Sequence, residues 1–260
     1  MFDISAHATA PAPDARQSGQ PWRFEPCGER CVILVFDTLF SVEANRQAAH
    51  VANTLRTLAG QGLLPGITDV VAAMVTVGVH YSPLDFFTRC PQQSPYDAVC
   101  EALRKALQQA VGTQDPVVRR IEIPVCYEAE YAPDLAEVAQ ACSLSVAEVI
   151  AAHTADWLDV LMVGFAPGHP YIGMLPQALS LPRRPVPRKR VEKGSVGLAN
   201  RQSVIYPAEL PGGWHLIGRT PLNLFSPFDN IPCLLKGGDQ IRFTAISGRE
   251  FERLAQGETP

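Results

Sequence analysis

No apolar run in this sequence approaches the roughly 20 residues that cross a bilayer as a helix, and none of its seven cysteines stands in a C-x-x-C pair. The first absence excludes a helical membrane span. The second, with an odd count scattered over positions 27, 31, 90, 100, 126, 142 and 233, argues against a disulfide framework or a structural zinc site and predicts reduced, mostly buried thiols. The six histidines (7, 50, 80, 153, 169 and 215) show no H-x-x-x-H or H-E-x-x-H pattern, so a metal mechanism finds no support and no metal ligand set is expected. Charge is also sparse: 18% of residues are charged and the formal net charge is −4, which leaves no electrostatic footprint for nucleic acid. The opening stretch MFDISAHATAPAPDARQSGQP lacks the basic start and apolar segment of a secretory signal. Its Ala, Pro and Gln content predicts a disordered leader over residues 1–21, and a cytoplasmic location is the default expectation.

What is present is a globular balance, 47% hydrophobic over 260 residues, enough for one large domain or two modest ones. Cys31–Phe36 is a β-branched apolar run and predicts a strand; Ser41 caps a helix to about Leu58, stopped by Gly60 and Gly62. Two strands follow over 67–74 and 75–81, then a helix opened by Ser94-Pro95 and closed by Gly112. Arg119–Val125 alternates apolar and polar as a half-buried strand does. The order β-α-β-β-α-β predicts a split βαβ, or ferredoxin-like, α+β domain over residues 22–125. Two short helices are expected at 134–142 and 145–154, the second with a Ser145-x-x-Glu148 capping box, and a strand at 157–164. Beyond these, short β-prone runs at 195–199, 203–206, 214–217, 222–225 and 240–243 alternate with Gly and Pro, which predicts a small barrel or sandwich over residues 126–260.

Chemistry-bearing residues concentrate between Gly164 and Phe225. Gly164-Phe-Ala-Pro-Gly-His-Pro-Tyr-Ile-Gly173 carries three glycines and two prolines in ten residues, which predicts a tight loop rather than a helix or a central strand. Such a loop could hold His169 and Tyr171 ready for a ligand while Gly168 lets backbone approach it; a rigid turn around a satisfied histidine is the plain alternative. Prolines interleave with arginines from Leu181 to Arg190, favouring an extended course in which Arg188 or Arg190 is aimed at a carboxylate or phosphate. Gln202, Tyr206, Trp214, His215 and Arg219 complete the set on short strands, with Trp214 equally readable as core. Ser195 and Ser203 lack a G-x-S-x-G elbow, no G-x-x-x-x-G-K-[ST] loop is present, and no carboxylate pair stands out.

The strings GFAPGHPYIG, PRR-x-x-PR-x-R-V, GSVGLA, QS-x-IYP and PGGW-x-LIGRTP-x-x-LF, with LLK-x-GD-x-IRF at 234–243, resemble the family that comprises the B component of 5-oxoprolinase, the first component of allophanate hydrolase and Kip-type kinase inhibitors. The likeness runs from about Pro21 to Arg253. It implies a ferredoxin-like domain followed by a cyclophilin-like β-barrel. It implies one subunit of an ATP-dependent lactam hydrolase, inactive alone, that opens 5-oxoproline to glutamate. Its implied partners are a homologous carboxyltransferase-like chain, the C component, and a third chain, the A component. Urea-derived substrates, or non-catalytic inhibition of a histidine kinase, are the other activities it implies. Within the likeness, catalytic work would fall to Arg188, Tyr206, Arg219 and His169, and substrate contacts to Gly168, Tyr171, Arg190, Gln202, Trp214 and His215.

Overall fold

A computed structural model describes residues 22–110 and 118–257. The expected leader and Gly112, the expected close of the helix opened by Ser94-Pro95, lie outside the described residues. These divide into two compact units. The first comprises β1 (Arg23–Pro26), β2 (Cys31–Val35), α1 (Val42–Gly60), β3 (Ile67–Ala72), β4 (Thr76–Tyr81), α2 (Pro83–Arg89) and α3 (Pro95–Ala110). Its four-stranded sheet runs in the order β1-β2-β4-β3. The Ser41 hydroxyl accepts the Ala44 N–H at 3.1 Å and caps α1 as expected. A face of small residues, Ala44, Ala48, Ala49 and Ala52, then lets the helix lie close on the sheet.

The second unit opens with β5 (Arg120–Cys126). Here the structure departs from the expected split βαβ. β5 does not close the first sheet; it pairs in parallel with β13 (Gln240–Ile246), from Arg120 against Gln240 to Cys126 against Ile246. Alternation identifies a half-buried strand without saying which sheet buries it, and the outer strand of the first sheet is β1 instead. Residue 125 therefore lies within a barrel strand rather than between two domains.

Between β5 and β13 the chain forms α4 (Leu135–Ala141), α5 (Val146–Thr154), β6 (Leu158–Val163), β7 (Pro170–Gly173), a 3₁₀ turn (Gln177–Leu179), β8 (Arg188–Val191), β9 (Ser195–Ala199), β10 (Gln202–Ile205), β11 (Leu210–Gly212) and β12 (His215–Arg219); α6 (Gly248–Ala255) follows β13. Seven strands close into a barrel in the order β10-β7-β6-β13-β5-β12-β9, and β8 and β11 form a separate two-stranded ribbon. The architecture is thus mixed α and β with a closed barrel, as expected of a cyclophilin-like unit. β7 corrects the expectation that 164–173 holds no central strand. Its proline sits at the first strand position, where no N–H is needed, so the loop itself is confined to 164–169. The run 222–225 contributes only an isolated bridge, Phe225 to Cys233. Two residues in left-handed conformation, Asn200 (φ 50°) and Arg201 (φ 62°), make the tight turn that joins β9 to β10.

Successive side chains on the barrel strands divide between two apolar clusters. Ile172, Leu198, Ile205 and Phe243 join the main core, while Tyr171, Val204, Tyr206 and Trp214 belong to a second cluster on the opposite face of β7 and β10. Inside the main core a polar chain is fully buried. The Ser203 hydroxyl donates to the Gly197 carbonyl at 3.0 Å, so it can only accept from His153 Nε2 at 3.1 Å. That places the imidazole proton on Nε2 and leaves Nδ1 to accept from the Tyr127 hydroxyl at 2.7 Å. Burial depresses the His153 pKa to about 3 and raises that of Tyr127, so both stay neutral. No disulfide forms among the described residues; Cys31, Cys100 and Cys126 are buried, and Cys27 and Cys90 are exposed. Among the described residues no single helix is long and apolar enough to cross a membrane.

Candidate functional site

The loop joining β6 to β7 is built to place one imidazole. Ala166-Pro-Gly-His169 forms a β-turn closed by the His169 N–H to the Ala166 carbonyl at 3.1 Å, with Pro at its second position and Gly168 at φ +76° in its third. A Cβ on Gly168 would stand 2.8 Å from the Phe225 Cβ and 2.9 Å from the Leu224 carbonyl oxygen. The glycine expected to meet a ligand thus serves the turn and its packing. Phe165, 64% exposed, is held at φ 71° and lies edge-on to the imidazole with ring centres 5.3 Å apart. A left-handed phenylalanine stores roughly 1–2 kcal/mol, which the surrounding turn must hold.

His169 itself is 1% exposed, and neither of its ring nitrogens has a hydrogen-bond partner among the described residues. Its ring faces Tyr171 at 5.2 Å and Tyr206 at 5.3 Å, and Tyr171 in turn meets Trp214 edge-on at 6.0 Å. The Arg183 guanidinium lies over the Trp214 ring, 4.6 Å from its centre. Burial, with the Arg183 charge adding to it, lowers the His169 pKa to about 4, so this imidazole is neutral near pH 7. Tyr206 is also 1% exposed, and its hydroxyl has no hydrogen-bond partner among the described residues. Burial pushes its pKa up to about 12 even though the Arg183 and Arg188 charges and the Trp214 amide pull it down. The phenol is therefore a protonated donor.

Arg188 arrives from β8 with one side of its guanidinium fixed. Its Nη2 donates to Asp134 Oδ1 at 2.6 Å, whereas Nη1 is buried without a partner among the described residues. Asp134 starts α4, yet its carboxylate makes no cap for that helix. It instead accepts from Arg188, from Arg184 Nη1 at 3.3 Å and from the Leu216 N–H at 2.7 Å, and is itself buried. A buried carboxylate shared by two arginines and a backbone amide keeps Arg188 from swinging away.

The expected site residues thus separate into two groups. His169, Tyr171, Arg188, Tyr206 and Trp214 converge. His215 lies next to Trp214 but is turned aside, its Nε2 donating to the Pro182 carbonyl at 3.1 Å. Arg219 is occupied elsewhere: Nε donates to the Lys193 carbonyl at 2.9 Å and Nη1 pairs with Glu192, which holds the turn leading into β9. Arg190 is an exposed partner of Glu209 at 2.6 Å, and Gln202 sits at the β9–β10 turn, paired with Gly173 on β7 and Ala199 on β9. Two members of the cluster escape the sequence reading. Arg183 is one arginine among several in a basic run, and Asp134 looks like an ordinary helix start; only the absence of any cap bond sets it apart, and that is visible only in three dimensions.

Unpartnered and buried, the His169 nitrogens, the Tyr206 hydroxyl and Arg188 Nη1 form a set of donors and acceptors walled by aromatic rings. Buried polar groups are almost always satisfied, so several of them orphaned in one place single this cluster out as the candidate site. Among the described residues there is no group of three or more His, Cys, Asp or Glu side chains that could hold a metal ion.

Comparison with known proteins gives this arrangement a family setting. A family model described as carboxyltransferase domain, subdomain C and D, matches residues 22–235. The chain is 37% identical over 232 residues to the B component of the 5-oxoprolinase of Bacillus subtilis, covering 88% of this chain and 95% of that protein. It is 44% identical over 218 residues to the same component of the Haemophilus influenzae enzyme, covering 84% and 95%. The crystal structure of TTHA0988 superposes with a TM-score of 0.69 at 33% identity, covering 84% of this chain and 40% of that one. Likeness to the urea amidolyase of Saccharomyces cerevisiae is confined to 73 residues at 30% identity, 26% of this chain and 4% of that protein.

Proposed function

This chain belongs to the family of carboxyltransferase domains, subdomain C and D, and from that premise we propose that it is the B component of a 5-oxoprolinase. In this reading the assembled enzyme, with its C and A components, adds water across the lactam C–N bond of 5-oxoproline and releases glutamate, driven by ATP hydrolysis. The observation that carries the reading is the identity of 37% to 44% with proteins named as this component, over 84% or more of this chain and 95% of theirs. The confined match to urea amidolyase gives the amidolyase reading far less support. We read the first unit as ferredoxin-like with β1 as its outer strand, because the order β1-β2-β4-β3 keeps the β2-α1-β3-β4 core of a split βαβ.

The geometry suits one part of that chemistry. An unstrained amide resists hydrolysis, so its carbonyl must be polarised and its ring held still. Neutral His169, protonated Tyr206 and cationic Arg188 offer hydrogen bonds and positive charge for this. Asp134, buried against the cluster, is already engaged by two arginines and an amide, and Glu137 pairs with Arg184, so we infer that proton transfer from a carboxylate comes from a partner chain. This supports the reading of a component that is inactive alone. The test is reconstitution: purify the chain with its A and C partners and measure glutamate formed from 5-oxoproline and ATP. Glutamate that depends on all chains supports the proposal. Turnover restricted to a urea-derived substrate would replace it with the amidolyase reading.

A further inference from the structure

Two thiols of the first unit are set side by side by a hairpin. Cys27 and Cys31 flank the turn Gly28-Glu29-Arg30, which joins β1 to β2. The two strands are antiparallel and in continuous register from Arg23 against Val35 to Pro26 against Val32, so the next opposed residues are Cys27 and Cys31. The Cys27 N–H donates to the Cys31 carbonyl at 3.0 Å and closes the pair. Gly28, at φ +65°, takes the left-handed conformation that lets the chain reverse so tightly. Residues directly opposed on antiparallel strands put their side chains on one face, and in a hydrogen-bonded pair their Cα atoms stand about 5.5 Å apart. That separation lies inside the range of about 4.4–6.8 Å that a disulfide spans. Their Cβ atoms, about 5.5 Å apart at most, are wider than the roughly 3.5–4.5 Å of a relaxed bridge. A bridge here is therefore within reach, but strained.

The two sulfurs differ in environment. Cys27 is exposed, whereas Cys31 is 7% exposed and its thiol donates to the Val32 carbonyl at 3.8 Å. Burial, and after it the neighbouring Cys27 thiol, raise the Cys31 pKa. A reagent from solution thus meets Cys27, while Cys31 is held behind it as a protected partner. The turn cannot drift away from the sheet, because the Tyr81 N–H donates to the Arg30 carbonyl at 2.9 Å and Cys31 lies opposite His80 on β4.

We propose that Cys27 and Cys31 form a reversible dithiol–disulfide pair, oxidised by a low-molecular-weight disulfide and reduced again by a low-molecular-weight thiol. The Cys27 thiolate attacks one sulfur of the reagent disulfide; a mixed disulfide forms, the reagent S–S bond breaks, and the first reagent thiolate leaves and takes up the proton that Cys27 lost. Cys31 then gives up its proton and attacks the Cys27 sulfur. The mixed bond breaks, the Cys27–Cys31 bond forms, and the second reagent thiolate leaves and is protonated. Two protein thiols are oxidised by two electrons in all, and one reagent disulfide is reduced to two thiols. The reverse exchange restores both cysteines. Strain across the hydrogen-bonded strand pair makes this bridge easier to open than the relaxed disulfides of secreted frameworks.

The full chain, equilibrated with mixtures of oxidised and reduced glutathione, quenched in acid, alkylated and digested, tests the pair by mass spectrometry. Trypsin cuts after Arg23 and Arg30, so the two cysteines fall in separate peptides and a bridge appears as a linked pair lighter by two hydrogens than its parts. The expected result is that this linked pair grows with the ratio of oxidised to reduced glutathione and disappears when reduced glutathione is restored in excess. Cys31→Ala should stop at a glutathione adduct on Cys27. Cys27→Ser, a change at an exposed position, should lose the linked pair and leave Cys31 open to alkylation after unfolding. Three results overturn the assignment. They are a native chain that stops at the Cys27 adduct at every ratio, a bridge from Cys31 to the buried Cys100 of α3 instead, and a Cys27–Cys31 bridge that excess reduced glutathione fails to open. None of these outcomes bears on turnover by the assembled enzyme.

Discussion

Two hydroxyls on neighbouring residues of the barrel unit should respond in opposite directions to the loss of a single oxygen. Ser203 lies in β10 and Tyr206 just beyond it, and both are essentially fully buried. The Ser203 hydroxyl donates to the Gly197 carbonyl and meets His153 Nε2, so Ser203→Ala leaves a buried imidazole N–H without its acceptor and removes one bond to the Gly197 carbonyl. That should cost about 1–3 kcal/mol. The Tyr206 hydroxyl has no partner among the described residues, and it is packed so closely that a Cβ on Gly212 would fall 1.9 Å from it. Its O–H proton therefore has no acceptor among the described residues to offset its desolvation, although the Trp214 amide lies close enough to lower its pKa. Tyr206→Phe removes that penalty and should stabilise the unit by about 1 kcal/mol. Urea unfolding of both variants, read by far-UV circular dichroism and compared at constant m-value, makes the comparison. A Tyr206→Phe variant less stable than wild type by 1 kcal/mol or more, an order-of-magnitude threshold set by a typical net hydrogen bond, would show that the hydroxyl has a partner. The cluster could then no longer be understood as a binding site awaiting its ligand.

Asp134→Ala should destabilise the same unit by about 3–5 kcal/mol, since it leaves Arg184, Arg188 and the Leu216 N–H without their shared buried acceptor; a loss below about 1 kcal/mol, the size of an exposed pair, contradicts the clamp. Gly197→Ala should disturb the packing of Trp214 directly, because the new Cβ would stand 2.6 Å from the Trp214 Cβ. A stability loss of about 1–3 kcal/mol, read by urea unfolding, is expected. The barrel should also be acid-sensitive through its histidines. His153 and His169 have folded pKa values of about 3 and about 4, both below the ordinary 6.5. Below pH 6.5 the unfolded chain therefore binds protons that the folded chain refuses. Stability contributed by the neutral rings is complete above pH 6.5 and is lost as pH falls toward 4 and 3, by up to about 1.4 kcal/mol per pH unit for each ring. Urea midpoints measured between pH 7 and pH 4 should flatten in His153→Asn; an unchanged slope refutes the assignment.

The reach of the sequence differs from element to element, for physical reasons. Helices marked by local chemistry are legible: the Ser41 and Ser145 caps stand where expected, because capping is settled within four residues. The fate of Arg120–Cys126 is not, because its alternation is the same whether the buried face meets the first sheet or β13, 120 residues later. At the site, the loop that presents His169 and Tyr171 announces itself through Pro167 and Gly168, whose backbone restrictions admit few alternatives. Arginines are harder. Arg183, Arg188, Arg190 and Arg219 look alike along the chain, and their differences come from what lies opposite: an aromatic face, a buried carboxylate, an exposed Glu209, or a carbonyl with Glu192. The polar chain from Tyr127 through His153 to Ser203 has no sequence signal, since its members are 26 and 50 residues apart.

If the orphaned polar groups around His169 handle the substrate of a 5-oxoprolinase, the steady-state kinetics of the reconstituted complex carrying Tyr206→Phe will show it most directly. The expected result is a fall in kcat/KM for 5-oxoproline of about tenfold or more in a chain that is no less stable than wild type. A complex that forms glutamate from 5-oxoproline with unchanged kcat/KM would contradict that role.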